Sequence, residues 1–203
     1  DEPSMKRRIV EFARFADIGI HDIRKVDNTV ISSHQQYDEE GNATKTVTFP
    51  FRVNESEGTN KYFSLAYHII DALDHGKRLV VDEFDSKMHP LLTSRIIGLF
   101  NSRVTNPRNA QLIFTTHDTN LLNASLFRRD QIWFTQKDSF GASELYSLAE
   151  YKVRNSAPFE KEYLMGKYGG IPVIGQFGRL FNRSEGEDGS ADEQSWATRG
   201  TDT

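Results

Sequence analysis

The stretch from Arg78 to His89, RLVVDEFDSKMH, places a short apolar run directly before two adjacent carboxylates. The run Leu79 to Val81 is rich in β-branched residues, which predicts a strand buried on both faces of a parallel sheet. Asp82 and Glu83 then follow the carboxyl end of that strand, and open α/β sheets bind their ligands at this end. The sequence therefore predicts a ligand site at Asp82 and Glu83.

Two carboxylates at the end of a buried strand suit the hydrolysis of a nucleoside triphosphate. Asp82 would hold Mg²⁺, directly or through water, and Glu83 would act on the water that attacks the γ-phosphate. A strand that ends in a solvated acidic turn explains an isolated run of this kind equally well. The choice between these interpretations depends on the neighbouring stretches.

A second apolar stretch delivers His117 to the same region. Pro90 to Arg103 has the spacing of an amphipathic helix with proline in its first turn. Gln111 to Thr115, QLIFT, follows as another apolar strand and leads into His117. A strand, a helix and a second strand predict a parallel βαβ unit, whose two carboxyl ends share one edge. His117 is therefore a candidate for contact with phosphate or with metal-bound water.

The stretch Glu55 to Asp74 predicts a helix from about Thr59 to Leu73, because its apolar residues keep the helical spacing. Small and hydroxyl residues, namely Ser56, Gly58 and Thr59, gather at its amino end. Unpaired backbone N–H groups and the helix dipole make such an end an anion site. An ordinary N-cap with a glycine turn is the alternative interpretation.

Composition narrows the class of protein. The chain has 203 residues, a net charge of −4 and a pI near 5.9, so it carries no charge footprint of broad nucleic-acid or anionic-membrane binding. It has no cysteine, which excludes disulfides and thiolate metal sites. It has no signal peptide and no apolar run that spans a bilayer. These features predict a cytoplasmic protein without a membrane partner.

The chain divides into three predicted parts. Residues 1–54 contain the end of a helix at Ile9 to Phe15 and a small antiparallel sheet, residues 55–177 contain the two helices and two strands described above, and residues 178–203 form a disordered acidic tail. The predicted antiparallel strands are Ile18 to Ile23, Thr29 to Ser33 and Thr44 to Val53. After the parallel unit we predict an edge hairpin, Gln131 to Thr135 with Glu144 to Leu148, and a short helix at Phe159 to Lys167.

Three stretches, ESEGT at 55–59, VVDEFD at 80–85 and FTTHD at 114–118, occur in the order and spacing of the signature, Walker B and switch-histidine elements of ABC-type ATPases. With LFRRDQIWFTQKD, GASELYSLAEY and YLMGKYGGIPVIG, the chain from Ala13 to Phe177 resembles the AAA-class ATP-binding proteins of bacterial abortive phage infection systems. These have an ABC-like ATPase head related to SMC and Rad50. The resemblance implies an α/β fold, a P-loop NTPase-like, mainly parallel sheet flanked by helices, with an antiparallel β portion.

The resemblance also implies a role for each motif residue, with ATP and Mg²⁺ as cofactors. Asp82 matches the Walker B aspartate that serves Mg²⁺, Glu83 the catalytic glutamate, and His117 the switch histidine. The signature residues Ser56, Gly58 and Thr59 cover ATP that the opposite subunit holds. Asp85 and His89 lie where the family carries a loop across the dimer seam, although DSKMH differs from the SALD-like form of transporters.

One element of the family is missing from the sequence. No G-x-x-x-x-G-K-[ST] occurs in the chain, so it contains no loop to cradle the α- and β-phosphates. The family carries this loop near its amino terminus. We therefore expect the chain to be the carboxyl-terminal half of a longer ATPase, and to neither bind ATP tightly nor hydrolyse it alone.

The leading functional hypothesis is an ATPase subunit of an anti-phage defence complex. Two heads would form a homodimer or higher oligomer around ATP and control an effector such as a nuclease or toxin, with a phage trigger protein and nucleic acid as further partners. One alternative is an SMC- or Rad50-like DNA-repair ATPase, which requires a long heptad-patterned coiled coil. Another is a catalytically silent scaffold that uses the same surface only for assembly.

Overall fold

The computed structural model describes residues 2–16, 19–154 and 157–171. Its helices within these ranges are α1 Glu2–Ala16, α2 Phe51–Asn54, α3 Glu57–His75, α4 Pro90–Asn101 and α5 Phe159–Leu164. Its strands are β1 Ile20–Val26, β2 Thr29–Tyr37, β3 Ala43–Pro50, β4 Arg78–Val81, β5 Gln111–Phe114, β6 Trp133–Lys137 and β7 Ser143–Ser147. The chain is thus a mixed α/β protein with parallel and antiparallel sheets.

The predicted parallel βαβ unit is confirmed. β4 pairs with β5 in parallel, Val81 lies opposite Phe114, and α4 connects the two strands. Leu79, Val81, Leu112 and Phe114 pack against the main core. The buried members of that core come from α1, α3, α4 and the turns after β4 and β5: Phe12, Tyr62, Ala66, Ile69, Ile70, Phe84, Met88, Ile96, Ile97 and Leu121.

The prediction that β4 is buried on both faces is wrong. Val80 is 71% exposed and Ile113 is 53% exposed, because the helices cover only the face that carries Leu79 and Val81. Three consecutive apolar residues fit either a fully buried or a half-buried strand, so the sequence pattern did not separate the two cases. The expected mainly parallel sheet is present in the described residues only as the pair β4 and β5.

The predicted antiparallel sheet is confirmed, with the order β1-β2-β3. Asp27 adopts a φ of 53° in the tight turn between β1 and β2. The third strand ends earlier than predicted, because the chain turns into α2 after Pro50 and buries Phe51 against Ile20 and Ile23. The predicted extension of this strand to Val53 is therefore wrong.

The hairpin β6–β7 forms a sheet of its own instead of an edge of the parallel sheet. Asp138 accepts hydrogen bonds from the N–H groups of Phe140 and Ala142 in its turn, and Gly141 takes a φ of 84° there. One face of the hairpin packs on a second core with α5, which contains Ile132, Phe134, Tyr146, Leu148, Val153, Phe159 and Tyr168. The short helix predicted at Phe159 to Lys167 is confirmed over Phe159–Leu164.

Helix α1 packs along α3. The rings of Phe12 and Tyr62 stack with their centroids 4.5 Å apart, and the Arg8 guanidinium donates two hydrogen bonds to Asp74. These hydrogen bonds lower the pKa of the Asp74 carboxyl below its usual value. The contacts fix the direction of α3, whose amino end carries Ser56, Gly58 and Thr59.

Asp1–Gly170 and Ile171–Thr203 are separate units, and Ile171 is the one described residue of the second. The predicted tail at 178–203 therefore lies outside the described residues. Among the described helices, none combines the length and the apolar character needed to cross a membrane.

Candidate functional site

The two acids predicted as a site lie in the exposed turn that follows β4. Thr115, the first residue after β5, connects them: its Oγ1 donates a hydrogen bond to Asp82 Oδ1 (2.5 Å) and accepts one from the Glu83 N–H (2.8 Å). The backbone of Thr115 also holds this turn: its N–H donates to the carbonyl oxygen of Val81, and its carbonyl oxygen accepts from the N–H of Phe84. The ends of both parallel strands therefore meet at one bridging hydroxyl.

The backbone of Glu83 is strained. Its φ of 46° lies in the left-handed region, which costs a non-glycine residue on the order of 1–3 kcal/mol. Both polar backbone groups of Glu83 are paired. Its N–H donates a hydrogen bond to Thr115 Oγ1. Its carbonyl oxygen accepts hydrogen bonds from Lys61 Nζ (2.5 Å) and from the Ser86 N–H (3.1 Å). The surrounding residues thus hold an unfavourable conformation at the predicted catalytic acid.

Phe84 anchors the acidic turn to the core. Its side chain is fully buried, and its ring lies 5.1 Å from the ring of Phe114 between centroids. The turn therefore exposes Asp82 and Glu83 while the next residue is fixed in the main core. Such an arrangement lets charged groups face solvent from a rigid support.

His117 follows β5 by three residues, so the parallel pairing places it at the same edge as Asp82 and Glu83. Its side chain is exposed, and it makes no hydrogen bond to either carboxylate among the described residues. The structure thus brings the two acids together with Thr115, and places His117 on the same edge without a hydrogen bond to them among the described residues.

The start of α3, here called the signature turn, carries the residues predicted as a signature, namely Ser56, Gly58 and Thr59. Ser56 is the N-cap: its Oγ accepts a hydrogen bond from the Thr59 N–H at 3.0 Å and lies 2.8 Å from Thr59 Oγ1. Thr59 is buried, whereas Ser56 is exposed. The N-cap that the sequence left as an alternative is therefore present, and the remaining first-turn N–H groups have no acceptor within the helix. Binding of an anion at this end stays a prediction.

The start of α3 touches the loop that follows the acids. A Cβ on Gly58 would lie 2.5 Å from the carbonyl oxygen of Lys87, and the ammonium of Lys87 pairs with Glu57 at 3.0 Å. Lys87 itself takes a φ of 65°. The signature turn and the loop that follows the two acids are thus in direct contact within one chain.

Gly58→Ala is expected to destabilise the protein. The new methyl group would force the Lys87 carbonyl to move, at a cost that exceeds the gain in helix propensity and lowers the free energy of unfolding by about 1–2 kcal/mol. Urea denaturation measures this difference. Gly98→Ala in α4 is the matched control, since nothing lies within 4 Å of its Cβ and the change should stabilise the helix. Equal destabilisation by both changes would contradict the contact at Gly58.

A partly buried cluster of polar side chains holds the residue that precedes the signature turn. Glu55 Oε1 lies 2.7 Å from His34 Nε2 and accepts a hydrogen bond from Ser32 Oγ (2.5 Å), so β2 holds the residue before Ser56. The amide of Asn60 donates to the carbonyl oxygens of Glu55 and Ser56. The sequence carried no signal for this cluster, because Ser32 and His34 on β2 lie over twenty residues before Glu55.

Two residues of the DSKMH loop have defined environments. His89 caps α4, since its Nδ1 accepts a hydrogen bond from the Leu91 N–H at 3.2 Å. Asp85 is half-buried, and its Oδ1 is the only buried side-chain oxygen without a hydrogen-bond partner among the described residues. A seam role for either residue stays a prediction.

The acids fit a magnesium ion that is bound together with a nucleotide. No group of three or more histidine, aspartate or glutamate side chains in the described ranges is arranged to hold a metal ion by itself. Mg²⁺ is usually held by one or two carboxylates together with substrate phosphates and water. Asp82 suits this mode, because it is exposed and its Oδ2 has no donor among the described residues.

A family model described as "AAA domain, putative AbiEii toxin, Type IV TA system" matches residues 2–123, which is more than half of the chain. The chain belongs to this AAA family. The match includes the signature turn, the acidic turn and His117, and membership implies an ATPase-like function linked to abortive infection and toxin–antitoxin systems. The sequence-based assignment to an AAA-class ATPase of this kind is confirmed at that level.

No curated protein matches the chain. The matched region of the AAA family ends before the β6–β7 hairpin, so the LFRRDQIWFTQKD and GASELYSLAEY stretches stay resemblances. The sequence analysis also missed Thr115 and Lys61 beside the acids. The predicted parallel pairing offered a signal for Thr115, because a residue at the end of the second strand lies at the edge that carries Asp82, and the observed register places it beside Asp82.

Proposed function

We propose that this chain is part of an ATPase subunit of an anti-phage defence complex of the abortive-infection type. Two ABC-like heads of the SMC and Rad50 type close around ATP and Mg²⁺, and closure or hydrolysis controls a partner effector such as a nuclease or toxin. The observation that carries the proposal is the exposed pair Asp82 and Glu83, held by Thr115 at the shared end of two parallel strands in an AAA-family chain.

The residues at this edge suit phosphoryl transfer, which depends on positioning and on stabilisation of charge. Asp82 would hold Mg²⁺, which would offset the negative charge of the phosphate groups. Glu83 would orient the attacking water and take its proton, and His117 would contact the γ-phosphate. Since the exposed carboxylates face solvent, nucleotide can approach them without a rearrangement of the core.

The signature turn would bind ATP held by the opposite head. An exposed Ser56 at the amino end of a 19-residue helix suits an anion, because the dipole and unpaired N–H groups favour negative charge there. The phosphate loop of each head would come from a segment outside this sequence, so that this chain supplies the carboxyl-terminal half. ATP favours the closed dimer only if it binds that state more tightly than the open one.

Magnesium-dependent ATP hydrolysis by the full-length protein tests this proposal. We expect turnover with Mg²⁺, and Asp82→Asn should raise the Mg²⁺ concentration for half-maximal turnover at least about tenfold, since a ligand is lost. Asp130→Asn is the control, because the Asp130 carboxylate is exposed and pairs with Arg128. The 203-residue chain alone should neither bind ATP tightly nor hydrolyse it.

Two results would argue against the proposed function. Tight ATP binding without any turnover would make nucleotide a structural element and favour the scaffold hypothesis. An unchanged Mg²⁺ requirement in Asp82→Asn would remove Asp82 from the metal site.

A further inference from the structure

Glu83 is held by two side chains that no sequence motif assigns. Its N–H donates to Thr115 Oγ1 at 2.8 Å, and its carbonyl oxygen accepts from Lys61 Nζ at 2.5 Å. Its φ of 46° is a conformation that a residue with a side chain rarely adopts without support. The direction of the Glu83 side chain depends on this backbone conformation, because φ fixes where the Cβ points.

We propose that Thr115 and Lys61 are positioning residues that hold the backbone of Glu83 in the conformation that directs its carboxylate toward the attacking water. The inference rests on the proposed function, since Glu83 acts there as the catalytic carboxylate. Neither residue touches the reacting atoms. Each acts through the backbone groups of Glu83, and Thr115 acts on Asp82 as well.

The two residues contribute unequally. Thr115 Oγ1 is the only acceptor for the Glu83 N–H among the described residues and also donates to Asp82 Oδ1. The Glu83 carbonyl oxygen, by contrast, keeps the Ser86 N–H at 3.1 Å when Lys61 is removed. Loss of the Thr115 hydroxyl therefore affects both acids, whereas loss of Lys61 removes one of two donors to a single carbonyl.

Lys61 also joins two parts of the site. It lies on α3 two residues after Thr59, and it reaches the carbonyl of Glu83 from the helix that begins with the signature turn. A shift of this helix on binding the opposite subunit's ATP would therefore move a donor to Glu83. Lys61 provides a direct path between the signature turn and the catalytic acid of its own chain.

Steady-state ATP hydrolysis by the full-length protein tests the proposal with matched substitutions. Thr115→Val keeps the shape and the backbone hydrogen bonds of Thr115 but removes the hydroxyl. We expect it to lower kcat about 10- to 100-fold, with the KM for ATP changed less than about twofold. Thr115→Ser restores the hydroxyl and should recover most of kcat. Lys61→Met should lower kcat less than Thr115→Val does, and Lys61→Arg should retain a donor.

The controls make the same chemical changes elsewhere. Thr105 follows α4, and Thr105→Val removes a hydroxyl that donates a hydrogen bond to the carbonyl oxygen of Leu99. Lys77→Met removes an ammonium that pairs with Asp71 near the carboxyl end of α3. Both should leave kcat unchanged. An equal loss in Thr115→Val and Thr115→Ser, or a loss confined to KM, would overturn the positioning role.

Hydrogen exchange at the Glu83 amide provides a readout that does not need turnover. The amide should exchange about 3- to 10-fold faster in Thr115→Val than in wild type or Thr115→Ser, because it loses its acceptor. An unchanged exchange rate of the Glu83 amide in Thr115→Val would overturn the positioning role of Thr115, even if the enzyme were active. If wild-type protein does not hydrolyse ATP, the proposed function and catalytic positioning are both wrong, whereas faster exchange in Thr115→Val would still support the hydrogen bonds themselves.

Discussion

Glutamine in place of Glu83 is expected to lower ATP turnover by the full-length protein about 100- to 10,000-fold, the range that a positioned general base contributes. Glutamine has nearly the same size and shape as glutamate, but it does not take a proton from water. Binding of ATP and closure of the two heads should survive, because Asp82, the signature turn and the core are unchanged. The variant should therefore accumulate as an ATP-bound dimer.

The measurement combines steady-state hydrolysis with equilibrium ATP binding and with size determination in the presence of ATP and Mg²⁺. Glu144→Gln is the matched control, because Glu144 is an exposed residue of the β6–β7 hairpin. If Glu83→Gln retained wild-type turnover, Glu83 would not be the catalytic carboxylate. If turnover and ATP binding were lost together, Glu83 would take part in nucleotide binding. This result would contradict the proposal that Asp82 holds Mg²⁺ and Glu83 acts only on the attacking water.

The sequence predicted the parallel unit well, because apolar patterns reflect which face of an element meets the core. The predicted α3 is two residues shorter than the observed helix at each end, and the predicted α4 begins correctly but ends two residues late. The strand predicted over Gln111 to Thr115 ends at Phe114. Two apolar strands joined by a helix have few ways to pair. That topology was enough to place Asp82, Glu83 and His117 at one edge.

The exposure of β4 and the polar contacts of the site were not predictable in the same way. Val80 is apolar yet 71% exposed, because the residue type alone does not determine whether another element packs on that face of the strand. Glu83 accepts a hydrogen bond from Lys61 and donates one to Thr115, residues that lie 22 and 32 positions away in the sequence, and both bonds depend on side-chain geometry. The left-handed φ of Glu83 has no sequence signal either, since glutamate rarely adopts it.

Alanine in place of Phe84 is expected to lower the free energy of unfolding of the protein by about 3–5 kcal/mol. Phe84 has 0% exposure, and its ring packs beside Phe114 within the core formed by α1, α3 and α4. Alanine would leave a cavity directly beneath Glu83. Since the stability of a protein domain is commonly 5–15 kcal/mol, this change removes a large share of it.

Urea denaturation of wild type, Phe84→Ala and Phe84→Leu measures the effect, and leucine should lose less because it refills part of the cavity. Phe140→Ala is the surface control, since Phe140 is 95% exposed in the turn of the β6–β7 hairpin and should change stability little. If Phe84→Ala were as stable as Phe140→Ala, the acidic turn would not be anchored in the core. The buried ring of Phe84 fixes the turn to the core, and this anchor allows the two residues before it to be exposed and still held in place.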